Sequence, residues 1–200
     1  MTKDDAATKE RILQSAINAI DTHGEDSLRI VDVAHDAGVS QGMIRYYFGD
    51  RETLVVAAMT ARFRQRYGFM LREFAEMASR CHTPDEFREA MVQAMSFVFV
   101  HERRQVRLER NSDIGKAKNH PEFAEQIAEE RNALCRDLAA VFESAKERGL
   151  IKESVNSLHA AGLYMSFSHG ISLWELGPEF LSQQELLAMF QESLFAVLFD

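Results

Sequence analysis

The sequence predicts an all-α protein of about nine helices. Apolar residues recur three and four positions apart along most of the 200 residues, and no segment sustains the alternation of a half-buried strand. Prolines and glycines interrupt this pattern where helices are expected to begin or end. We therefore expect helices near residues 8–23, 28–37, 41–47, 51–80, 84–100, 102–117, 121–148, 155–176 and 183–199.

Capping residues mark several of these boundaries. Gly24, Gly38 and Gly149 each follow an amphipathic run, as a left-handed residue at a helix end does. Residues 83–86 (Thr-Pro-Asp-Glu) and 182–185 (Ser-Gln-Gln-Glu) read as capping boxes that start two later helices. The long fourth helix is expected to join an N-terminal group of three helices directly to the rest of the chain.

Residues 27–48 have the pattern of a helix-turn-helix. Both short helices carry an apolar face, formed by Ile30, Val33, Ala34 and Ala37 in the first and by Val39, Ile44 and Phe48 in the second. Gly38 can supply the left-handed turn, and Ser40 can cap the second helix. In such a motif the second helix enters the major groove of DNA by its N-terminal end.

The residues expected to be exposed on that second helix suit DNA. Glutamine can bond adenine and arginine can bond guanine in a bidentate manner, and tyrosine can donate to phosphate. The candidates are Ser40, Gln41, Gly42, Met43, Arg45, Tyr46 and Tyr47. No acidic residue lies between Val39 and Gly49, although the chain has a net charge of −8. Most of the acidity is C-terminal, because residues 81–200 hold 19 acidic and 12 basic residues against 12 and 11 in residues 1–80. Packing inside an ordinary all-α protein is the alternative explanation of such a helix pair.

The stretch from Lys9 to Leu54 resembles the DNA-binding domain of the TetR family of regulators. The resemblance rests on Arg11-Ile-Leu-Gln-Ser-Ala16, His23-Gly24, Val33-Ala34, Ala37-Gly-Val-Ser40, Gly42, Tyr46-Tyr-Phe48 and Arg51-Glu-Thr-Leu54. It implies a helix-turn-helix domain over residues 1–50 and a helical ligand-binding and dimerisation domain over residues 51–200. It also implies a homodimeric repressor, bound to a near-palindromic double-stranded operator and released by a small-molecule effector.

The resemblance also assigns roles to individual residues. Gln41, Met43, Arg45 and Tyr46 would lie nearest to bases, Arg29 would touch phosphates or bases, and Tyr47 and Arg51 would hold the DNA backbone. Two positions depart from the common family pattern, since Arg45 is often tyrosine and Arg51 is often lysine. Both replacements keep a hydrogen-bond donor, but the arginine at position 45 makes the operator sequence unpredictable.

The last two helices carry features suited to a two-fold interface. Small residues spaced by four would let another helix approach closely, and the final helix has a broad apolar face. The resemblance implies that these helices pair with their copies in a four-helix bundle. The predicted interface residues are Gly162, Ser166, Gly170, Phe190 and Leu194. Packing of both faces within one subunit is the alternative.

Aromatic and methionine side chains along the C-terminal helices could line an apolar effector cavity. The candidates are Phe63, Tyr67, Met70, Phe74, Met95, Phe99, Tyr164 and Phe167, each of which could equally be an ordinary core residue. A cluster of four arginines could hold an anionic effector or form surface ion pairs. It consists of Arg103, Arg104, Arg107 and Arg110.

Other functional classes lack support in the sequence. There is no glycine-rich phosphate loop, nucleophile elbow, di-iron signature or His/Cys metal cluster, so we expect neither an enzyme nor a bound cofactor. Cys81 and Cys135 are expected to be reduced thiols, the polar N-terminus differs from a signal peptide, and no apolar run is long enough to span a membrane. We therefore expect a cytoplasmic protein. A helical interaction module that has lost DNA binding is the remaining alternative.

Overall fold

The computed structural model describes residues 3–100, 103–118, 121–176 and 180–200, with all side chains except those of Lys3, Arg66, Tyr67, Phe99, Arg110 and Asp113. Within these ranges it contains nine α-helices and no strand, which confirms the predicted fold class. The helices are α1 Lys3–His23, α2 Ile30–Ala37, α3 Gln41–Phe48, α4 Arg51–Arg80, α5 Pro84–Phe99, α6 Arg104–Ala117, α7 Pro121–Glu147, α8 Ser157–Gly170 and α9 Gln183–Leu198.

The predicted capping boxes are confirmed. The Thr83 hydroxyl accepts from the Glu86 amide at the start of α5, and the Ser182 hydroxyl accepts from the Glu185 amide at the start of α9. In both boxes the glutamate reaches back to the amide of the capping residue. These helix starts could be predicted from the sequence because each capping hydrogen bond joins residues only three positions apart.

Two predicted helices differ from the structure by more than two residues at an end. The first begins at Lys3, earlier than predicted, and Asp4 and Asp5 in its first turn complement the positive end of the helix dipole. The eighth is shorter than the predicted 155–176, because α8 starts after the cap Asn156 and ends at Gly170. A single 3-10 turn, Ile171–Leu173, follows it.

The chain divides into two compact units. The first comprises Met1–Gln65 and Ala117–Ile127. Its core includes Ile12, Ala16, Ile17 and Ile20 of α1, Val33 and Ala34 of α2, Ile44 and Phe48 of α3, Leu54 and Phe63 of α4, and Phe123 of α7. Arg62 is also buried here and donates from Nη1 to Asp21 Oδ1 at 2.9 Å. The apolar faces of α2 and α3 are thus used by packing, which leaves their opposite faces to solvent.

The second unit comprises Arg66–Lys116 and Ala128–Asp200. Its core is aromatic: Phe74 lies 6.0 Å from Phe87 and 6.4 Å from Phe142 between ring centroids, and Phe167 stacks on Phe190 at 4.4 Å. Helices α4, α5, α7, α8 and α9 all contribute to this core. Of the helices that the structure describes, none has both the length and the apolar character needed to cross a bilayer.

Candidate nucleic-acid interface and ligand cavity

The turn between α2 and α3 has the predicted geometry. Gly38 adopts a left-handed conformation with φ 65° and ψ 39°, which a residue with a Cβ would adopt only with strain. The Ser40 hydroxyl then accepts a hydrogen bond from the Met43 amide at 3.2 Å and caps α3. Ile44 and Phe48 anchor α3 in the core of the first unit. Because the cap and the two anchors fix the helix, the direction of its outer face is also fixed.

The outer face of α3 is exposed to solvent and carries no acid. Gln41, Met43, Arg45 and Tyr46 are all exposed, and Tyr46 has 80% of its surface accessible. Gly42 keeps the surface between them low. One guanidinium, one amide and one phenol are therefore displayed together along about two turns of helix. This donor set matches what a major groove offers.

Tyr47 is only partly available on this surface. It is half-buried, and its hydroxyl donates to Asp5 Oδ1 of α1 at 3.0 Å. Partial burial and the hydrogen bond to Asp5 raise the pKa of the Tyr47 hydroxyl above its usual value. A contact from Tyr47 to a DNA phosphate would require this bond to exchange.

Arg51 holds the chain that precedes α2. Its Nε donates to the Leu28 carbonyl at 2.9 Å, and its Nη2 donates to the carbonyls of Glu25 and Asp26 at 2.6 and 3.0 Å. The remaining nitrogen, Nη1, lies 3.6 Å from Glu52 Oε2. Three of the five donors of this guanidinium are therefore used inside the unit, and the contact of Arg51 with DNA stays a prediction that depends on Nη1.

Arg29 directly follows Leu28, whose carbonyl Arg51 binds in this carbonyl clamp, but its own side chain has a different environment. It is the residue before the first turn of α2, it is exposed, and its side chain makes no capping hydrogen bond. An exposed cation next to a helix N-terminus can reach a phosphate while the amides of the helix face the same anion. The structure therefore leaves Arg29, more than Arg51, able to hold a DNA backbone.

The second unit contains an apolar cavity of about 320 Å³. Its inner wall is buried and its mouth is bordered by exposed residues of α4 and α5, among them Phe69, Glu73, Gln93 and Phe97. The complete described lining is Phe69, Met70, Leu71, Glu73, Phe74, Met77, Gln93, Ala94, Phe97, Val98, Leu134, Leu138, Tyr164, Met165 and Ser168. The volume falls at the lower end of the range of roughly 300–1,000 Å³ seen for small-molecule sites.

Three predicted pocket residues line this cavity, namely Met70, Phe74 and Tyr164. Phe63 does not, because it is buried in the core of the first unit. Met95 is fully buried and is not part of the lining, and Phe167 packs on Phe190. The side chains of Tyr67 and Phe99 lie outside the described residues.

Sequence reasoning missed one complete wall of the cavity. Leu134 and Leu138 of α7 and Gln93, Ala94 and Val98 of α5 were not predicted. Met77, Phe97 and Met165 belong to the same methionine and aromatic pattern as the predicted residues, but that pattern does not distinguish a lining from a core. Among the described residues, no three His, Cys, Asp or Glu side chains are grouped as a metal site would require.

The three arginines of the predicted cluster whose side chains the structure describes differ in their exposure and in their partners. Arg107 is only 3% exposed, and its Nε donates to both carboxylate oxygens of Glu175, at 3.0 and 3.1 Å. Its Nη1 donates to the carbonyls of Val98 and Val100 at 2.6 and 3.1 Å. Arg107 is therefore a buried structural residue, neither a surface ion pair nor free to bind a ligand. The side chain of Arg110 lies outside the described residues.

The predicted dimer residues divide into two groups. Ser166 is exposed, Gly162 and Gly170 are partly exposed, and a Cβ added at either glycine would meet nothing within 4 Å. Phe190 and Leu194 are 0% exposed within a single chain, so their assignment to a subunit interface is wrong. They were assigned from apolar spacing, which predicts burial without saying what covers the residue.

Other apolar residues of the last two helices do reach the surface. Leu158 of α8 and Met189 and Val197 of α9 are exposed. A partner helix would therefore meet exposed apolar side chains on both helices, and the assignment of α8 and α9 to a subunit interface stays a prediction.

Comparison with known proteins relates the N-terminal part of this chain to a known family. Residues 12–58 match the family model described as bacterial regulatory proteins, tetR family. The chain is 28% identical over 89 residues to the HTH-type transcriptional regulator BetI of Brucella canis. That match covers 44% of this chain and only 42% of the length of the relative.

Solved structures extend the similarity of fold to the whole chain. A TetR-family transcriptional regulator from Mesorhizobium loti superposes with a TM-score of 0.74 over 100% of both chains, at 19% identity. A complex of SmeT with triclosan superposes with a TM-score of 0.62 over 97% of this chain and 92% of that one, at 18% identity.

Proposed function

Because the chain belongs to the TetR family of bacterial transcriptional regulators, we propose that it is a cytoplasmic, homodimeric repressor. It binds a near-palindromic operator and leaves it when a small molecule enters the cavity of the second unit. The observation that carries this proposal is the exposed, acid-free face of α3, capped by Ser40 and anchored by Ile44 and Phe48. A chain of net charge −8 would be repelled by DNA at most of its surface, and this face is suited to approach it.

Base recognition is assigned to Gln41, Met43, Arg45 and Tyr46. Arg45 can make paired hydrogen bonds to guanine, Gln41 can do so to adenine, and Met43 can contact a thymine methyl group. Ser40 and Gly42 lie at the N-terminal end of α3, where backbone amides face the DNA. Arg29 is assigned to the phosphates, and Arg51 to the position of the helix pair.

Dimerisation is assigned to the exposed surface of α8 and α9. Gly162, Ser166 and Gly170 of α8 allow a second helix to come close, and Met189 and Val197 supply exposed apolar area on α9. A two-fold axis between these helices would present two copies of α3 to half-sites about 34–36 Å apart, or slightly more.

Release by a ligand is assigned to the cavity between α4, α5, α7 and α8. A ligand shifts an equilibrium only by binding the two states with different affinity, and couplings of about 1–3 kcal/mol are usual. The apolar lining, with Met70, Met77 and Met165 as adaptable side chains, suits a small apolar molecule. The SmeT–triclosan neighbour supports a small-molecule role for this fold.

Fluorescence anisotropy with the DNA upstream of the protein's own gene tests the proposal. We expect Arg45→Ala and Tyr46→Ala to weaken specific binding by about 1–3 kcal/mol for each lost base contact, with binding to random DNA little changed. Arg136→Ala is the matched control, because Arg136 is an exposed arginine on α7, outside the helix-turn-helix. Wild-type affinity in both α3 variants would refute the assignment of α3 as the recognition helix.

A further inference from the structure

We propose that the cavity takes an amphipathic anion, with its apolar chain inside and its acid group held by Arg103 at the edge. This inference rests on the proposed function, since it names the chemical class of the effector. It depends on a guanidinium that the sequence could not distinguish from its neighbours in the arginine cluster.

Arg103 touches two residues that line the cavity. Its guanidinium carbon lies 3.8 Å from the centroid of the Phe97 ring, and its Nη1 lies 3.3 Å from Met70 Sδ. Both Phe97 and Met70 belong to the cavity lining. An apolar chain inside the cavity therefore needs to extend only past these two side chains to place a terminal group beside the guanidinium.

The acceptor that Arg103 has is a weak one. A thioether sulfur is a poor hydrogen-bond acceptor, whereas a guanidinium offers five donors in a fork that matches a carboxylate. Among the described residues, none places a carboxylate oxygen within 4 Å of Arg103. Glu175 is used by Arg107, which donates to both of its carboxylate oxygens, and by Arg104, which donates to its backbone carbonyl.

The environment of Arg103 also makes an incoming anion favourable. Arg103 is half-buried, and burial lowers the pKa of its guanidinium below the usual value, with repulsion from Arg107 adding to the shift. The carboxylate of Glu175 pairs with Arg107, and Arg104 bonds only the backbone carbonyl of Glu175, so neither contact supplies a carboxylate to Arg103. Charges removed from water interact more strongly, so a ligand carboxylate would gain more here than at the exposed surface.

Glu73 is the one acid in the described lining, and it lies on the exposed side of α4. Its carboxylate is in contact with solvent, where screening weakens its repulsion of an anion. A lipophilic cation attracted by Glu73 is the opposite ligand class, and the experiment includes it as a competing outcome.

Cavity size limits the length of the ligand. A water molecule occupies about 30 Å³ in the liquid, so 320 Å³ holds roughly ten groups of that size. Octanoate is a probe of this size. 1-Octanol and octyltrimethylammonium carry the same chain with a neutral and a positive head group.

Isothermal titration of the full-length protein with these three probes tests the proposal without DNA. We expect octanoate to bind about ten- to a hundredfold more tightly than octanol, the difference typical of a hydrogen-bonded charge pair. Arg103→Gln should remove that difference and leave octanol binding unchanged, which shows that the cavity is intact. Arg104→Gln removes the same charge from the adjacent, exposed arginine and should keep the difference.

Several results would overturn the inference. Two results with the wild type alone would overturn it: equal affinities for octanoate and octanol, or no binding of octanoate. A preference for octyltrimethylammonium that disappears in Glu73→Gln would establish the opposite class. Persistence of the octanoate preference in Arg103→Gln would remove Arg103 from the site.

Repeating the titration with operator DNA present separates this inference from the proposed function. Arg103-dependent binding of octanoate that is equal with and without operator would refute effector-driven release and leave the anion site standing. Release of operator by octanol and octanoate at equal concentrations would support the proposed function and overturn the anion site.

Discussion

Replacing Arg51 by alanine should destabilise the first unit more than it weakens DNA contacts. The side chain makes three hydrogen bonds to the carbonyls of Leu28, Glu25 and Asp26. At about 0.5–1.5 kcal/mol net for each bond, their sum is about 1.5–4.5 kcal/mol. Because the side chain is 39% exposed, water can replace part of this bonding. We expect a loss of about 2 kcal/mol in the free energy of unfolding.

Urea denaturation and the salt dependence of binding to random DNA together measure this effect. A residue that neutralises one phosphate contributes about 0.9 to the slope of log K against log salt. Arg29→Ala is the matched variant, and we expect it to reduce that slope by about 0.9 for each subunit of the proposed dimer without changing stability. Arg51→Ala should lose stability and keep the slope of the wild type. Unchanged stability together with a reduced slope in Arg51→Ala would refute the carbonyl clamp and restore the phosphate contact.

Three further predictions concern stability and assembly. Glu175→Leu should lower the free energy of unfolding by about 3–5 kcal/mol in urea denaturation, because it leaves the buried charge of Arg107 without a partner. A double variant that also carries Arg107→Met should recover part of this loss. A loss near zero for Glu175→Leu would contradict a buried ion pair. Gly162→Leu should weaken dimerisation about ten- to a hundredfold, as measured by sedimentation equilibrium. The melting temperature of the monomer should not change, because a Cβ added at Gly162 meets open space within one chain. Hydrogen bonds from backbone amides lower the pKa of Glu86, so the stability it adds is present above the unfolded pKa and is lost as pH falls through the folded one. The difference in melting temperature between wild type and Glu86→Gln should therefore shrink from about pH 5 to pH 3, and a constant difference would contradict it.

The features that the sequence predicted correctly are local. The caps at Thr83 and Ser182, the turn at Gly38 and the outward direction of α3 depend on residues at most a few positions apart. The spacing of apolar residues then predicts which side of a short helix is buried, and the opposite side must face solvent. The surface from Gln41 to Tyr46 could be predicted for this reason alone.

The features that were wrong depend on contacts between distant segments. Phe63 and Met70 lie on one apolar stripe of α4, but the first is buried in one unit and the second lines a cavity in the other. The spacing of these apolar residues does not indicate where along α4 the core of the first unit ends and the cavity of the second begins. Phe190 was assigned to an interface for a similar reason, since the aromatic ring that covers it, Phe167, belongs to another helix. Arg51 binds carbonyls, and the direction of a carbonyl is invisible in a sequence.

Helix α4 runs without interruption from Arg51 to Arg80, and the boundary between the two units falls inside it, after Gln65. This constrains how related regulators can be recombined. One residue inserted at that boundary would rotate the face from Met70 to Met77 by about 100° relative to the face from Leu54 to Phe63. Seven residues would nearly restore the phase, leaving an error of about 20°. Chimeras that join the first unit of this chain to the second unit of another protein with the same fold should therefore be cut within α4 at equivalent residues, with its length kept unchanged.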